Sequence, residues 1–157
     1  MRMAITPDHV TAAQIETVCR KPIDALQLRQ KTQTARAFYS LAVEARDLTR
    51  KYGILLIIND RLDIALSVKA DGVHLPSNGL PAEAIRFPRF LVGVSTHSLE
   101  EARSAEEAGA SYITFSPAHL APVGKLSIPV LALGNVTEET CSLYSEGYAA
   151  IRMFFGQ

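Results

Sequence analysis

An α/β barrel, eight parallel strands wrapped into a cylinder and separated by helices, is the fold class this sequence predicts. Two observations lead to it. Short runs rich in Val, Ile, Leu and Phe, most of them four to six residues long, alternate along the chain with stretches in helical register. Such alternation makes βαβ units and a parallel sheet. The runs number eight, and no GxGxxG or GxxxxGK[ST] follows any of them, which favours a closed barrel over an open nucleotide-binding sheet.

The first strand is read at Met3–Thr6 and the second at Asp24–Arg29. The clearest helix spans Thr34–Lys51, with Phe38, Leu41, Ala42, Ala45 and Leu48 on one face. Ile54–Ile58 is a fully apolar third strand, after which Asp60 or Arg61 opens a short helix through Val68. Gly72–Leu75 and Leu91–Ser95 are the fourth and fifth strands. Ser98 and Glu101 have capping-box spacing at the head of Leu99–Ala108, and Gly109 can end that helix. Tyr112–Ser116, Pro129–Leu133 and Ala149–Met153 complete the strands. Thr137 caps a helix over Glu138–Ser145 that Gly147 ends.

The barrel is small: 157 residues lie below the roughly 200 usual for the fold. Only ten residues separate Pro117 from Ile128, and they include the turn formers Pro122 and Gly124. A parallel crossover needs about 10–12 residues, so the sixth helix is predicted to be absent or a single turn. The sequence stops at Gln157, a few residues past the eighth strand, so no eighth helix is expected. The prediction is a compact (β/α)8 TIM barrel with helix six reduced or missing and no helix eight, one domain over residues 1–157. The apolar faces those helices normally cover then need a second copy of the chain, another domain, or a loosened barrel.

Composition narrows the function classes. Apolar residues make up 48% and charged residues 20%, enough to bury a core. Lys+Arg and Asp+Glu are both 16, and the zero net charge argues against a nucleic-acid or polybasic membrane surface. Cys19 and Cys141 stand far apart without a CxxC, so neither a disulfide framework nor a zinc site is indicated. No leader-like start and no apolar run of about 18 residues is present, and a cytoplasmic protein is expected.

Polar residues gather at the predicted strand exits, which form the catalytic face of such a barrel. In Ala25–Lys31, period two puts Leu26 and Leu28 on one face and Gln27, Arg29 and Lys31 on the other. The leucines suit the helix layer. Two cations and an amide in the barrel mouth suit phosphate or pyrophosphate. Asn59 and Asp60 follow the third strand; Asp60 suits Mg²⁺ beside a pyrophosphate, or an N-cap for the helix after it. His74 is either a ligand contact or a hydrogen-bonded core imidazole. Ser95 faces inward by parity with Gly93 and can donate to phosphate, whereas His97 caps or faces solvent. Gly134-Asn135 is either a backbone cradle for phosphate or a plain turn, and Thr6, Ser116 and Arg152 lie at further strand ends.

Leu26–Lys31 (LQLRQK), Ile58–Leu66 (INDRLDIAL), Ala70–Pro76 (ADGVHLP), Val92–Pro117, Ile128–Val136 (IPVLALGNV) and the ending EGYAAIRMFFGQ carry a family likeness. In this order and spacing they resemble the thiamine phosphate synthase/TenI family. The ALGN and AAIR pieces look most like the TenI-like domain fused behind a Nudix hydrolase in some bacteria, so a Nudix-type domain is an expected partner alongside a homodimer. The resemblance implies a transferase that joins hydroxymethylpyrimidine diphosphate to a thiazole phosphate and releases pyrophosphate with Mg²⁺ help. It implies that Gln27 and Asn59 hold the pyrimidine, that Arg29, Lys31 and Ser95 bind diphosphate, and that Asp60 ligates the metal. Gly134 and the backbone near Phe154 would meet the thiazole phosphate.

The chain departs from that family at several positions. The second metal-binding aspartate falls at Gly79, or at Asn78. The Thr-x-Thr-Lys piece reads Ala121-Pro122-Val123-Gly124-Lys125, with Lys125 replacing the lysine after a one-residue shift. The phosphate-binding Gly-Gly reads Gly134-Asn135, and Arg152 stands where a small residue is usual. Tautomerase members of the TenI branch use a histidine that aligns at Pro117, with His119 nearby. A thiazole tautomerase needing no metal, and a non-catalytic binding domain for phosphorylated thiamine precursors, are therefore the alternatives.

Overall fold

The structure, a computed structural model, describes residues 1–118 and 125–156. Its strands are β1 (Arg2–Ile5), β2 (Ala25–Leu28), β3 (Leu55–Asn59), β4 (Gly72–Leu75), β5 (Leu91–Thr96), β6 (Tyr112–Phe115), β7 (Val130–Leu133) and β8 (Tyr148–Ala150). Each pairs in parallel with its neighbours in chain order, and β8 pairs with β1, so the sheet closes into a barrel. The α-helices are α1 (Ala12–Cys19), α2 (Ala35–Tyr52), α3 (Leu62–Ser67), α4 (Leu99–Glu107) and α5 (Arg152–Phe155). The expected fold class is the one observed. No helix among the described residues is long and apolar enough to cross a membrane.

Strand parity divides the core into two clusters. Inward-facing Met3, Ile5, Ala25, Ile57, Tyr112, Leu131 and Ala149 fill the lumen. Ala4, Leu26, Leu28, Leu56, Ile58, Val73 and Ile113 point outward and pack with Phe38, Leu41, Ala42 and Ala45 of α2 and Ala102 and Ala105 of α4. These outward positions are buried on both sides of the sheet, which is why the strands read as near-continuous apolar runs. In the lumen, small Ala25, Gly72, Gly93 and Ala149 make room for large Met3, Ile57, Tyr112 and Leu131, the layered filling of a closed barrel.

Local chemistry sets the helix ends, and the Ser98/Glu101 signal read from the sequence is realised. Thr34 caps α2 through Ala37 N, and Gly53 ends it in the left-handed conformation at φ 68°. Ser98 accepts from Glu101 N at the head of α4. Helix α1 carries a full capping box from Thr11 and Gln14, a signal present in the sequence that the strand-first reading passes over.

Three places differ. The expected helix over Glu138–Ser145 is reduced to a 3₁₀ turn at Cys141–Leu143. Thr137 and Thr140 exchange side-chain-to-backbone hydrogen bonds at 3.0 and 3.3 Å, which competes with helical pairing. The segment also has little to bury, since Leu143 is 73% exposed. The eighth strand stops at Ala150 rather than running to Met153, and one helical turn, α5, stands where no eighth helix was expected. That turn lets Phe154 bury by stacking on Tyr148, with ring centroids 6.4 Å apart. The β4–β5 connection contains only a 3₁₀ turn at Ala82–Ala84, so the helix layer is thin there as well. The sixth-helix expectation falls mainly on residues 119–124, outside the described residues.

Gly147 closes the cylinder. It sits at φ 138°, and a Cβ on it would run into the Met1 backbone. The close approach lets Tyr148 N donate to Met1 O at 3.0 Å, while the terminal ammonium of Met1 donates to Glu146 O at 3.0 Å.

Candidate active site

The C-terminal ends of the strands open onto a cavity of about 660 Å³. Gln27, Arg29, Lys31, Asn59, Asp60, His74 and Ser95, all expected from the sequence, line it together. Gln27 is buried, and its amide donates to Met3 Sδ at 3.4 Å. The period-two reading of β2 thus places its residues as predicted: Leu26 and Leu28 in the outer core, the polar trio at the mouth.

Arg29 is held at both backbone and side chain. Thr6 Oγ1 accepts from Arg29 N at 2.9 Å and donates to Arg29 O at 3.1 Å, so buried Thr6 is a structural clamp. Arg29 Nη1 lies 3.8 Å from Asp8 Oδ2, and Asp8 Oδ1 accepts from Lys31 N at 2.6 Å. Gln30, buried behind them, donates to Pro7 O and accepts from His9 N, tying the β1–α1 loop to β2. Sequence reasoning missed Asp8 and Gln30 because their partners are far away in the chain. It also missed Gln33 and Arg61, which line the same cavity, as does Asn78, one of the two positions aligned with the family's second aspartate.

Asp60 follows β3 at φ 60°, with its N–H donating to His74 O at 2.9 Å. It does not cap α3: the N-cap is Arg61, which makes no side-chain cap bond. Among the described residues, no hydrogen bond ends on the Asp60 carboxylate, and no group of three or more His, Cys, Asp or Glu could enclose a metal. The cavity therefore offers a hard cation one exposed carboxylate, and Asn59 and Asn78 line the same cavity. That donor set fits Mg²⁺, which binds through one or two carboxylates together with substrate phosphate oxygens.

His74 is a hydrogen-bonded core imidazole, one of the two readings the sequence left open, and it also lines the cavity. Its Nε2 lies 2.9 Å from Ser95 Oγ and 3.3 Å from Thr114 Oγ1, and its Nδ1 lies 3.2 Å from the Tyr112 hydroxyl. Burial disfavours the imidazolium and pushes its pKa down to about 4, so the ring is neutral at physiological pH. Burial likewise pushes the Tyr112 phenol up.

Gly134, Asn135 and Arg152 lie around a second cavity of about 560 Å³. Leu133 and Ile151 line both cavities. Gly134 and Asn135 both take positive φ, 87° and 55°. Lys125 is exposed and lines neither of these cavities. The backbone near Phe154 is already engaged: Phe154 N donates to Ile151 O at 3.2 Å, and Phe154 O accepts from Lys21 Nζ at 2.9 Å. Turn formation in α5 uses the groups that a strand would have left free. His97 faces solvent, its N–H donating to Glu101 Oε2 at 2.7 Å. His119 lies outside the described residues.

Comparison with known proteins follows the same lines. The family model described as thiamine monophosphate synthase (TMP-TENI) matches residues 3–122. A provisionally named second thiamine-phosphate synthase from Aquifex aeolicus is 42% identical over 162 residues, covering 89% of this chain and 87% of its own length. A thiamine-phosphate synthase from Caldanaerobacter subterraneus subsp. tengcongensis is 37% identical over 146 residues, 81% of this chain and 68% of the relative. Among solved structures, a thiamine phosphate pyrophosphorylase from Pyrococcus furiosus superposes with a TM-score of 0.90 at 28% identity, covering 99% of this chain and 88% of that one.

Proposed function

The chain belongs to the thiamine monophosphate synthase family, and we propose that it joins hydroxymethylpyrimidine diphosphate to a thiazole phosphate, releasing pyrophosphate. The observation that carries the reading is the convergence of Arg29, Lys31, Asp60 and Ser95 around one cavity floored by Gln27 and His74. In this reading Gln27 and Asn59 hold the pyrimidine. The Arg29 guanidinium and Lys31 ammonium take the diphosphate, and their charge counts most as the bond to the pyrimidine methylene breaks and negative charge grows on the leaving oxygens. Ser95 adds a neutral donor. Asp60 would hold Mg²⁺, which when bound neutralises part of the diphosphate charge. The second cavity, with Gly134, Asn135 and Arg152, takes the thiazole phosphate, so the thiazole nitrogen approaches the pyrimidine methylene past Leu133 and Ile151, the residues the two cavities share.

The proposal covers one barrel domain over residues 1–157 in the cytoplasm, a setting that suits its unpaired thiols Cys19 and Cys141. A second copy of the chain, or a Nudix-type domain, is the proposed cover for the thinned helix layer beyond β7, where Leu143 is exposed. Incubating the protein with both substrates and Mg²⁺ and measuring thiamine phosphate tests the function. Wild type should form product, and Arg29→Ala should lose most of it. Equal background from both would refute the synthase. Tight binding of the substrates without turnover would replace it with a binding domain, and thiazole isomerisation without metal would replace it with a tautomerase.

A further inference from the structure

Beneath the cavity, β4, β5 and β6 bring His74, Gly93 and Tyr112 into one register row, with Ser95 and Thr114 paired in a row above. Tyr112 is 1% exposed. Its ring lies 5.7 Å from the imidazole, tilted by 32°. Gly93 makes the arrangement possible: a Cβ there would collide with the Tyr112 ring and stand 2.6 Å from His74 Nδ1.

The proton positions follow from what each buried group can bond. Among the described residues, the one hydrogen-bond partner of the Tyr112 hydroxyl is His74 Nδ1, at 3.2 Å. A buried phenolic O–H without an acceptor is costly, and an imidazole nitrogen lacking a proton is an acceptor. Tyr112 O–H therefore donates to Nδ1. The neutral ring then carries its proton on Nε2, which donates to Ser95 Oγ at 2.9 Å, the shorter of its two contacts, Thr114 Oγ1 lying at 3.3 Å. Ser95 Oγ, its lone pair engaged from below, is left with a free O–H on the cavity side. The opposite polarity would strand the Tyr112 O–H in the closed lumen and set two hydroxyls, Ser95 Oγ at 2.9 Å and Thr114 Oγ1 at 3.3 Å, against the single lone pair of Nε2. The groups facing the imidazole are hydroxyls and Gly93, and no carboxylate bonds to it among the described residues to reverse the order.

We infer that Tyr112 is a positioning residue that sets the His74 tautomer and thereby turns the Ser95 hydroxyl outward as a donor to the bound anion. The inference rests on the reading that this cavity takes a diphosphate. The Tyr112 hydroxyl reaches the anion only through His74 and Ser95.

Two measurements on the full chain test it. The first is ¹⁵N NMR of labelled histidine at neutral pH without ligand, with His74→Gln identifying the resonance. The expected spectrum has the proton on Nε2 of His74; a proton on Nδ1 overturns the inference. The second is calorimetric binding of inorganic pyrophosphate with Mg²⁺. Tyr112→Phe and Ser95→Ala should each weaken binding roughly tenfold, as expected for one lost hydrogen bond to a charged group. The double variant should bind no more weakly than Ser95→Ala alone, because both changes remove the same bond. Additive losses would mean that Tyr112 acts through packing, and would overturn the relay. A wild type that binds no pyrophosphate removes the diphosphate reading and the anion role together, while the nitrogen spectrum still decides the tautomer.

Discussion

Acidification should destabilise this barrel well before its surface carboxylates titrate, and the cause is His74. In the unfolded chain this imidazole takes a proton near 6.5; inside the barrel, burial holds it neutral down to about 4. Between those values the unfolded state binds more protons than the folded one, so stability falls as pH falls through 6.5 and levels off below about 4. At about 1.4 kcal/mol per pH unit, the interval amounts to about 3 kcal/mol, of which about 2 kcal/mol is lost by pH 5. The depressed Glu16 carboxylate, held near 2 by hydrogen bonds from Lys51 and Tyr52, acts in a lower window: its contribution is complete above 4.5 and lost only below it. Urea unfolding from pH 8 to 4.5 therefore isolates the histidine. Wild type should lose stability steadily below pH 6.5, and His74→Gln, which cannot titrate, should lose about 2.5 kcal/mol less over the same range. Equal unfolding free energies at pH 7 and pH 5, or the same slope in His74→Gln, would refute the assignment of a buried neutral imidazole.

Three further outcomes are expected. Asp60→Asn should remove most of the Mg²⁺ enhancement of pyrophosphate binding while leaving the metal-free affinity unchanged; calorimetry with and without Mg²⁺ checks this, and an undiminished enhancement would rule out the Asp60 carboxylate as the metal ligand. Gly147→Ala forces a side chain against Met1 at φ 138° and should cost about 3 kcal/mol, seen as a lower urea midpoint; a neutral substitution would contradict the tight β8–β1 closure. Thr11→Ala removes the capping box of α1 and should cost about 1 kcal/mol without altering pyrophosphate affinity.

Where the sequence is legible, strand parity makes it so. Period two sets Gln27 opposite Leu26 and Leu28 within β2, and Arg29 and Lys31, just past the strand's end, line the same mouth. Asp60 was legible because it follows an apolar strand directly, and Ser95 because parity with Gly93 turns it inward. Asp8 and Gln30 were not: each is a loop-side residue whose partner lies 23 or 21 positions away, and no periodicity encodes that meeting. Tyr112 reads as an ordinary apolar strand opener; its polar end matters only because Gly93 lets it pass beneath His74. The segment after β7 has a cap signal without an apolar face to bury, so local chemistry suggested a helix that packing does not support. In the tail, Ile151–Phe155 has the composition of a strand, but Phe154 finds Tyr148 only if the chain turns.

The two side chains that both chambers share, Leu133 and Ile151, are aliphatic. Neither offers a lone pair or a proton, so in the proposed transfer an electron-poor carbon formed beside them would meet no competing nucleophile from either. Hydrocarbon at such a place acts on a reactive fragment by keeping water out rather than by bonding to it. Trimming it would, under the proposed function, divert fragments to hydrolysis, giving an alcohol in place of the coupled product. Fidelity of the proposed transfer would then depend on the bulk of two hydrocarbon side chains that take no direct part in the chemistry.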